Sequence, residues 1–307
     1  MVPAAIDWLL EGDPSVRWQV ERDLLGREKS TWGRTRRGVA REGWGAALLA
    51  EQEEDGGWGG GLYSPKWIST TYTLLLLRRL GLAPSHPAAR RGVSLLLDRG
   101  RYFDGAISFG VTQTRPDQCV NGMVTALASY FRVVDSRLHE IVDRLLSDQL
   151  ADGGWNCEAW TGSRHGSFHT TISVLEGLGE YARLGMTEEL AAAQATGREF
   201  FLNHRLYHSH RTGEVVHPSF TRFSFPPRWH FDVLRGLEHF ARVEADTDGR
   251  LADAIELLRT KQRKDGTWTV QNRHAGRTYF EMEPVGRPSR WNTLRALRVL
   301  AWWEGGG

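Results

Sequence analysis

The chain has 307 residues, of which 40% are hydrophobic and 25% charged, and this composition excludes extensive disorder. The 39 Lys and Arg residues against 37 Asp and Glu give a formal net charge of +2, which argues against nucleic acid as the main partner. The two cysteines, Cys119 and Cys157, are too few for a disulfide framework, and no run of about 18 apolar residues predicts a transmembrane segment. We therefore expect a cytoplasmic protein.

Helical patterns recur along the chain. In chain order, the predicted helices include residues 4–10, 68–80, 136–149, 170–178 and 251–262. The segments 136–149 and 251–262 carry charged faces, which is typical of helices that lie on the outside of a fold. The segments 68–80 and 170–178 carry fewer charges, which indicates helices on the inside. The alternation predicts pairs of outer and inner helices.

A corner motif appears three times. It occupies residues 52–58 (QEEDGGW), 149–155 (QLADGGW) and 262–268 (QRKDGTW). Its Gln belongs to the last turn of a helix, Asp-Gly supplies a residue that tolerates positive φ, and Trp packs the chain back onto its neighbour. Each copy therefore predicts the end of an outer helix.

Six further units predict the starts of inner helices, where a small residue or proline precedes an aromatic or polar residue. Their markers are Trp18, Trp67, Cys119, His169, Trp229 and Trp291. The markers stand 49 to 62 residues apart, which leaves room for two helices between them. The sequence thus predicts an all-α, α6/α6 toroid of six inner and six outer helices, as one domain covering residues 1–307. An open helical solenoid is the alternative with the same pair period.

The corner motif resembles the Gln-x-x-Asp-Gly-Gly-Trp repeats of squalene and oxidosqualene cyclases, and similar Gly-Gly turns occur in the β-subunits of protein prenyltransferases. The resemblance covers nearly the whole chain. It implies an α6/α6 toroid in which the starts of the inner helices, and the loops before them, line a deep and largely apolar cavity.

Asp117 and Cys119 open the third predicted inner helix, and His169 opens the fourth. Carboxylate, thiolate and imidazole groups are zinc ligands, and three such ligands with one open position are typical of a catalytic zinc site. The pattern is similar to the Asp-x-Cys pair and following His of prenyltransferase β-subunits. That resemblance implies that Asp117, Cys119 and His169 hold zinc and are catalytic.

Cys157 lies in the loop before His169 and is a candidate fourth zinc ligand. Lanthionine cyclases use a Cys, Cys, His set on a comparable toroid, although their Cys-His-Gly signature is absent here. The alternative is structural, because a buried Cys is often an inert apolar residue and a His at a helix start often caps backbone groups.

The chain departs from the prenyltransferases at their diphosphate site. Those enzymes carry Arg and Lys just ahead of the Asp-x-Cys pair, whereas residues 111–116 (VTQTRP) contain only Arg115. They also need a second subunit, and the sequence does not indicate one.

A replacement anion site, or else a solvated basic rim, is predicted at the starts of the last two inner helices, from Arg222, Arg228, His230, Arg287 and Arg290. A histidine cluster fits no standard metal site and is left as a set of polar contacts: His204, His208, His210 and His217.

Five aromatic residues at equivalent inner-helix starts are predicted to line an apolar pocket that binds an isoprenoid-like substrate: Trp18, Trp67, Phe168, Trp229 and Trp291. The alternative is that these aromatic side chains have only a structural role in packing between helices.

The leading hypothesis is a zinc-dependent, prenyltransferase-like transferase that activates a thiol or water toward a hydrophobic substrate. A non-catalytic toroid that binds an apolar ligand or a partner protein is the alternative. A terpene cyclase is a second alternative, but the Asp-x-Asp-Asp acid is missing, since residues 246–249 (DTDG) lack the adjacent pair.

Overall fold

The protein is mainly helical in the computed structural model, which describes residues 2–110 and 115–305. Residues 111–114, part of the segment ahead of Asp117, lie outside the described residues. The α-helices of the described ranges are α1 (Val2–Leu10), α2 (Pro14–Asp23), α3 (Lys29–Gly38), α4 (Gly43–Ala50), α5 (Thr70–Leu80), α6 (Pro87–Arg99), α7 (Gln118–Tyr130), α8 (Ser136–Ser147), α9 (Phe168–Tyr181), α10 (Glu188–Asn203), α11 (Val233–Arg242), α12 (Ala252–Thr260) and α13 (Arg290–Gly305).

The predicted helices are confirmed with shifts of one to three residues at their ends. Residues 4–10, 68–80, 136–149, 170–178 and 251–262 correspond to α1, α5, α8, α9 and α12. One predicted outer helix is replaced by two, α3 and α4. They are separated at Gly43, which has a φ of +67° and whose Cβ would lie 1.9 Å from Asp13 Oδ2, so the close approach of Asp13 requires glycine there.

Two short antiparallel strand pairs, which the periodicity does not predict, accompany the helices. Strands β1 (Arg101–Phe103) and β2 (Ala106–Ser108) form a hairpin in which Tyr102 pairs with Ile107. Strands β3 (Trp268–Thr269) and β4 (Pro288–Ser289) pair just before α13 begins. Both pairs lie in loops that precede helices predicted as inner ones.

The chain divides into two compact units. The terminal unit comprises Met1–Ala50, Arg79–Ala83 and Leu202–Gly307, and the middle unit comprises Glu51–Arg78 and Pro84–Phe201. The assignment of residues 1–307 to one domain stays a prediction. In the terminal unit the two ends of the chain meet, because Arg298 donates a hydrogen bond to Gln19 Oε1 (2.7 Å).

The corner motifs have one construction in all three copies. The first glycine of each, Gly56, Gly153 or Gly266, has a φ between +82° and +93°, as the motif predicts. The backbone N–H of the tryptophan in each copy donates to a threonine hydroxyl of the helix that follows, at 3.0 Å: Trp58 to Thr70, Trp155 to Thr171 and Trp268 to Thr293. Each corner is thereby tied to the start of an inner helix.

Candidate functional site

Helices α7 and α9 pack closely in the middle unit, and their close approach depends on two glycines. A Cβ on Gly177 would lie 2.3 Å from the carbonyl oxygen of Gly122, and one on Gly122 would lie 2.6 Å from the carbonyl oxygen of Ser173. No other residue fits these positions without separating the helices. The starts of α7 and α9, which carry the predicted zinc ligands, therefore lie side by side.

The loop between Trp155 and Phe168 is tied to both helix starts. The backbone N–H of Asn156 donates to Gln118 Oε1 (2.9 Å), and the N–H of Ser167 donates to the carbonyl oxygen of Trp155 (2.8 Å). This loop places Cys157 between the two helices. Its sulfur accepts a hydrogen bond from the Cys119 backbone N–H (3.4 Å) and lies 3.4 Å from Thr170 Oγ1.

The two thiols form a hydrogen-bonded pair in which Cys119 is the donor. The hydrogen bond to Cys157, burial, and the charges of Cys157 and Asp117 all raise the pKa of the Cys119 thiol well above its usual value. The same hydrogen bond lowers the pKa of the Cys157 thiol. Burial acts in the opposite direction, but hydrogen bonds from Thr170 and the Cys119 N–H lower the pKa of Cys157 further. Cys157 therefore carries the negative charge when the pair ionises, which agrees with its position at two helix N-termini.

Four aromatic residues, Tyr63, Trp67, Tyr72 and Phe109, form what we call the aromatic cluster. The Tyr63 ring centroid lies 5.2 Å from that of Tyr72 and 6.4 Å from that of Phe109, and Trp67 meets Tyr72 edge to face at 4.7 Å. Trp67 and Tyr72 are buried, whereas Tyr63 and Phe109 are half-buried. Trp67, which the sequence predicts as a pocket residue, thus lies deep in this cluster.

The cluster adjoins the cysteine pair through Tyr63. Burial and the charges of Cys119, Asp117 and Cys157 raise the pKa of the Tyr63 phenol, so these groups lie within electrostatic reach of one another. Tyr63 was not predicted from the sequence. The only available signal was its place just before Pro65 and Trp67, at the start of a predicted inner helix.

The predicted zinc ligands are only partly brought together. The cysteines are adjacent and Asp117 is near them, but among residues 2–110 and 115–305 no three or more His, Cys, Asp and Glu side chains are grouped as a metal site. A tetrahedral zinc site needs three or four ligands around one point. His169 is half-buried, and its carbonyl oxygen accepts a hydrogen bond from Ser173 Oγ. Zinc binding stays a prediction.

The substrate residues predicted near the C-terminal end lie in the terminal unit. Trp229 stacks on His230 (3.8 Å between ring centroids), which stacks on His274 (3.7 Å, 7° between planes). Burial, with the charges of Arg228 and Arg235, lowers the pKa of His274 to about 4, so the imidazole is neutral near pH 7. Trp229 and His230 are therefore parts of one stacked column.

The arginines predicted as an anion site differ in their surroundings. Arg222 and Arg287 are exposed and Arg228 is half-buried. The Arg290 guanidinium lies over the Trp8 ring (4.4 Å) and donates to the Trp8 carbonyl oxygen (3.1 Å). The anion site stays a prediction.

The histidine cluster contains local hydrogen bonds. His204 and His210 are joined by one of 2.9 Å, His208 bonds to the carbonyl oxygen of Gly213, and His217 bonds to the Ser219 hydroxyl.

Glu283 is a half-buried carboxyl in the loop before α13, and the sequence did not predict it. Burial raises its pKa to about 7, although hydrogen bonds from Ser289 Oγ and the Trp291 N–H (3.2 Å) oppose the rise. Trp291 stacks on Phe225 (4.6 Å, 9° between planes), and its buried indole N–H has no hydrogen-bond partner among the described residues. No sequence signal distinguishes Glu283 from the exposed Glu281 beside it.

None of the helices within the described residues is long and apolar enough to cross a membrane. No family model and no curated protein match the chain.

Solved structures do match. A protein from Actinoplanes is 17% identical, the match covers 99% of this chain and 98% of that one, and the TM-score is 0.51. The type II terpene cyclase MstE from Scytonema is 17% identical over 98% of this chain and 97% of its own (TM-score 0.50). An MstE variant in complex with geranylgeranyl dihydroxybenzoate, its substrate, is 16% identical over 100% and 97% (TM-score 0.50). The chain therefore has the all-α toroid fold of a terpenoid cyclase, as its corner motifs predict.

Proposed function

We propose that the protein is an enzyme that binds an apolar, isoprenoid-like substrate at the aromatic cluster and acts on it. The observation that carries this proposal is an aromatic cluster whose Tyr63 lies within electrostatic reach of the polar groups Cys119 and Cys157. Aromatic rings with a few convergent polar groups are typical of small-molecule sites. The fold supports the proposal, since MstE binds a geranylgeranyl compound.

A binding titration tests this proposal. Geranylgeranyl dihydroxybenzoate is added to the purified chain, and binding is measured by calorimetry. Because an aromatic contact contributes about 1 to 2 kcal/mol, Tyr63→Ala should weaken binding by roughly tenfold. The control is Trp160→Ala, which removes an aromatic side chain that is 59% exposed in the same unit and should leave the affinity unchanged. Equal affinities of wild type and Tyr63→Ala would contradict the proposal.

A second candidate function is acid-initiated chemistry on the same class of substrate, as in a terpene cyclase without the Asp-x-Asp-Asp acid. Glu283 favours it, because a carboxyl that keeps its proton to about pH 7 is available as a proton donor. Glu283→Gln should then abolish product formation, followed by mass spectrometry, while substrate affinity is retained. Glu281→Gln is the matched control, since Glu281 is exposed and paired with Arg273 (3.2 Å) in the same loop. Full turnover by Glu283→Gln would rule this function out.

Zinc is a separate proposal, and neither function requires it. Metal analysis of the purified chain beside Cys119→Ala and His169→Ala tests it directly. One zinc per chain in the wild type, lost in both variants, would support the predicted ligands. Absence of zinc from the wild type, or unchanged zinc in the variants, would contradict them.

A further inference from the structure

We propose that Cys119 and Cys157 are a redox-active dithiol that forms a reversible disulfide, so that this pair is a modification site in the middle unit. The proposal is independent of the function proposed above. It rests on the contact of the Cys157 sulfur with the Cys119 backbone N–H at 3.4 Å, which brings together two cysteines that are 38 residues apart in sequence and belong to different structural elements.

Geometry supports the reaction. The Cys119 backbone N–H donates to the Cys157 sulfur at 3.4 Å, so the two cysteines are already adjacent. Both cysteines are free and both are half-buried. Cys157 lies in a loop next to the exposed Glu158, whereas Cys119 lies in the first turn of α7. The loop residue is therefore the one that moves to reach the S–S bond length of about 2.05 Å.

The oxidant is a low-molecular-weight disulfide, and the reaction proceeds in two exchanges. First the Cys157 sulfur attacks the small disulfide, whose S–S bond breaks, and one small thiol leaves with the proton that Cys157 gives up. Then the Cys119 sulfur attacks the mixed disulfide at Cys157, and the second small thiol leaves with the proton from Cys119. The two cysteines lose two electrons, which reduce the small disulfide to two thiols.

The metal content of the purified chain is measured first, and the chain is then treated with oxidised glutathione. The products are read by intact-mass and peptide mass spectrometry. The wild type should lose both thiols and two hydrogens, carry no glutathione, contain a peptide joining Cys119 to Cys157, and recover its thiols with a reductant.

Two variants separate the roles of the sulfurs. Cys119→Ser should stop at a stable mixed disulfide on Cys157, because the second exchange has no attacking thiol. Cys157→Ser should form no internal disulfide and should carry at most one glutathione, on Cys119, because the loop thiol that would complete the bond is absent. Three results would each overturn the proposal. They are glutathione left on both cysteines of the wild type, disulfide-linked dimers, and unreactive thiols that are held by copurified zinc.

Discussion

Glu283 shows how one side chain links local burial to pH dependence. Its pKa rises from 4.5 in a solvated chain to about 7 in the fold, so the folded state retains a proton that the unfolded state has lost. The contribution of this group to the free energy of unfolding is therefore complete below pH 4.5 and is lost as the pH rises through 7. The loss amounts to at most about 3 kcal/mol, since the carboxyl is partly solvated.

Glu283→Gln removes this titration. We expect the free energy of unfolding of the wild type, measured by urea denaturation, to fall between pH 4.5 and 7.5 relative to that of the variant. Other acidic groups titrate in both proteins, so their contributions cancel in the difference. Parallel pH profiles for the two proteins would contradict the raised pKa.

At the scale of elements, the contact between α7 and α9 determines whether the cysteine pair forms. In Gly177→Ala the new methyl group would meet the carbonyl oxygen of Gly122, and backbone cannot move aside as a flexible side chain can. We expect a loss of about 1 to 3 kcal/mol in the free energy of unfolding, measured by denaturant titration. The reaction that joins Cys119 to Cys157 should slow in the same variant.

Gly179→Ala is the matched control, because it lies on the same helix and its Cβ would meet only Gln194 Oε1, at 3.8 Å. Alanine favours helix over glycine, so this variant should be neutral or more stable by up to about 1 kcal/mol. If the two substitutions had equal effects, the helices would not be in the close contact described above.

At the scale of the whole molecule, the terminal unit is held together by buried charges that link distant parts of the chain. Glu238 on α11 accepts hydrogen bonds from Arg79 (2.9 Å) and Arg295 (3.0 Å). Burial alone would raise the pKa of Glu238, but the charges of Arg295 and Arg79 outweigh it and hold the pKa well below the usual value. Arg298 on α13 pairs with Asp23 at the end of α2.

Glu238→Gln removes the carboxylate that the guanidinium groups of Arg79 and Arg295 share. Glu238→Gln should therefore reduce the free energy of unfolding by about 3 to 5 kcal/mol. Glu256→Gln on the exposed face of α12 should change it by less than about 0.5 kcal/mol, and denaturant titration of both variants makes the comparison. An effect of Glu238→Gln as small as that of Glu256→Gln would contradict the buried network.

Much of the fold was predictable because it is encoded by local, repeated patterns. Helix periodicity and the three Gln-x-x-Asp-Gly corners depend on residues close in sequence, and α5, α8, α9 and α12 lie where these patterns predict. The split of one outer helix into α3 and α4 was not predictable, since it depends on Asp13, which is 30 residues away from Gly43.

By itself the sequence determined the helix pairs, their corners and the adjacency of the elements that carry Cys119, Cys157 and His169. Only the tertiary structure decided which groups come together: the Cys157 sulfur accepts a hydrogen bond from the Cys119 N–H, Tyr63 lies within electrostatic reach of both cysteines, and no group of three metal ligands forms among the described residues. The physical reason is the distance along the chain over which each interaction acts. Turn and helix signals act over a few residues, whereas the distance between two side chains, and the pKa of a carboxyl such as Glu283, depend on how distant segments pack and exclude water.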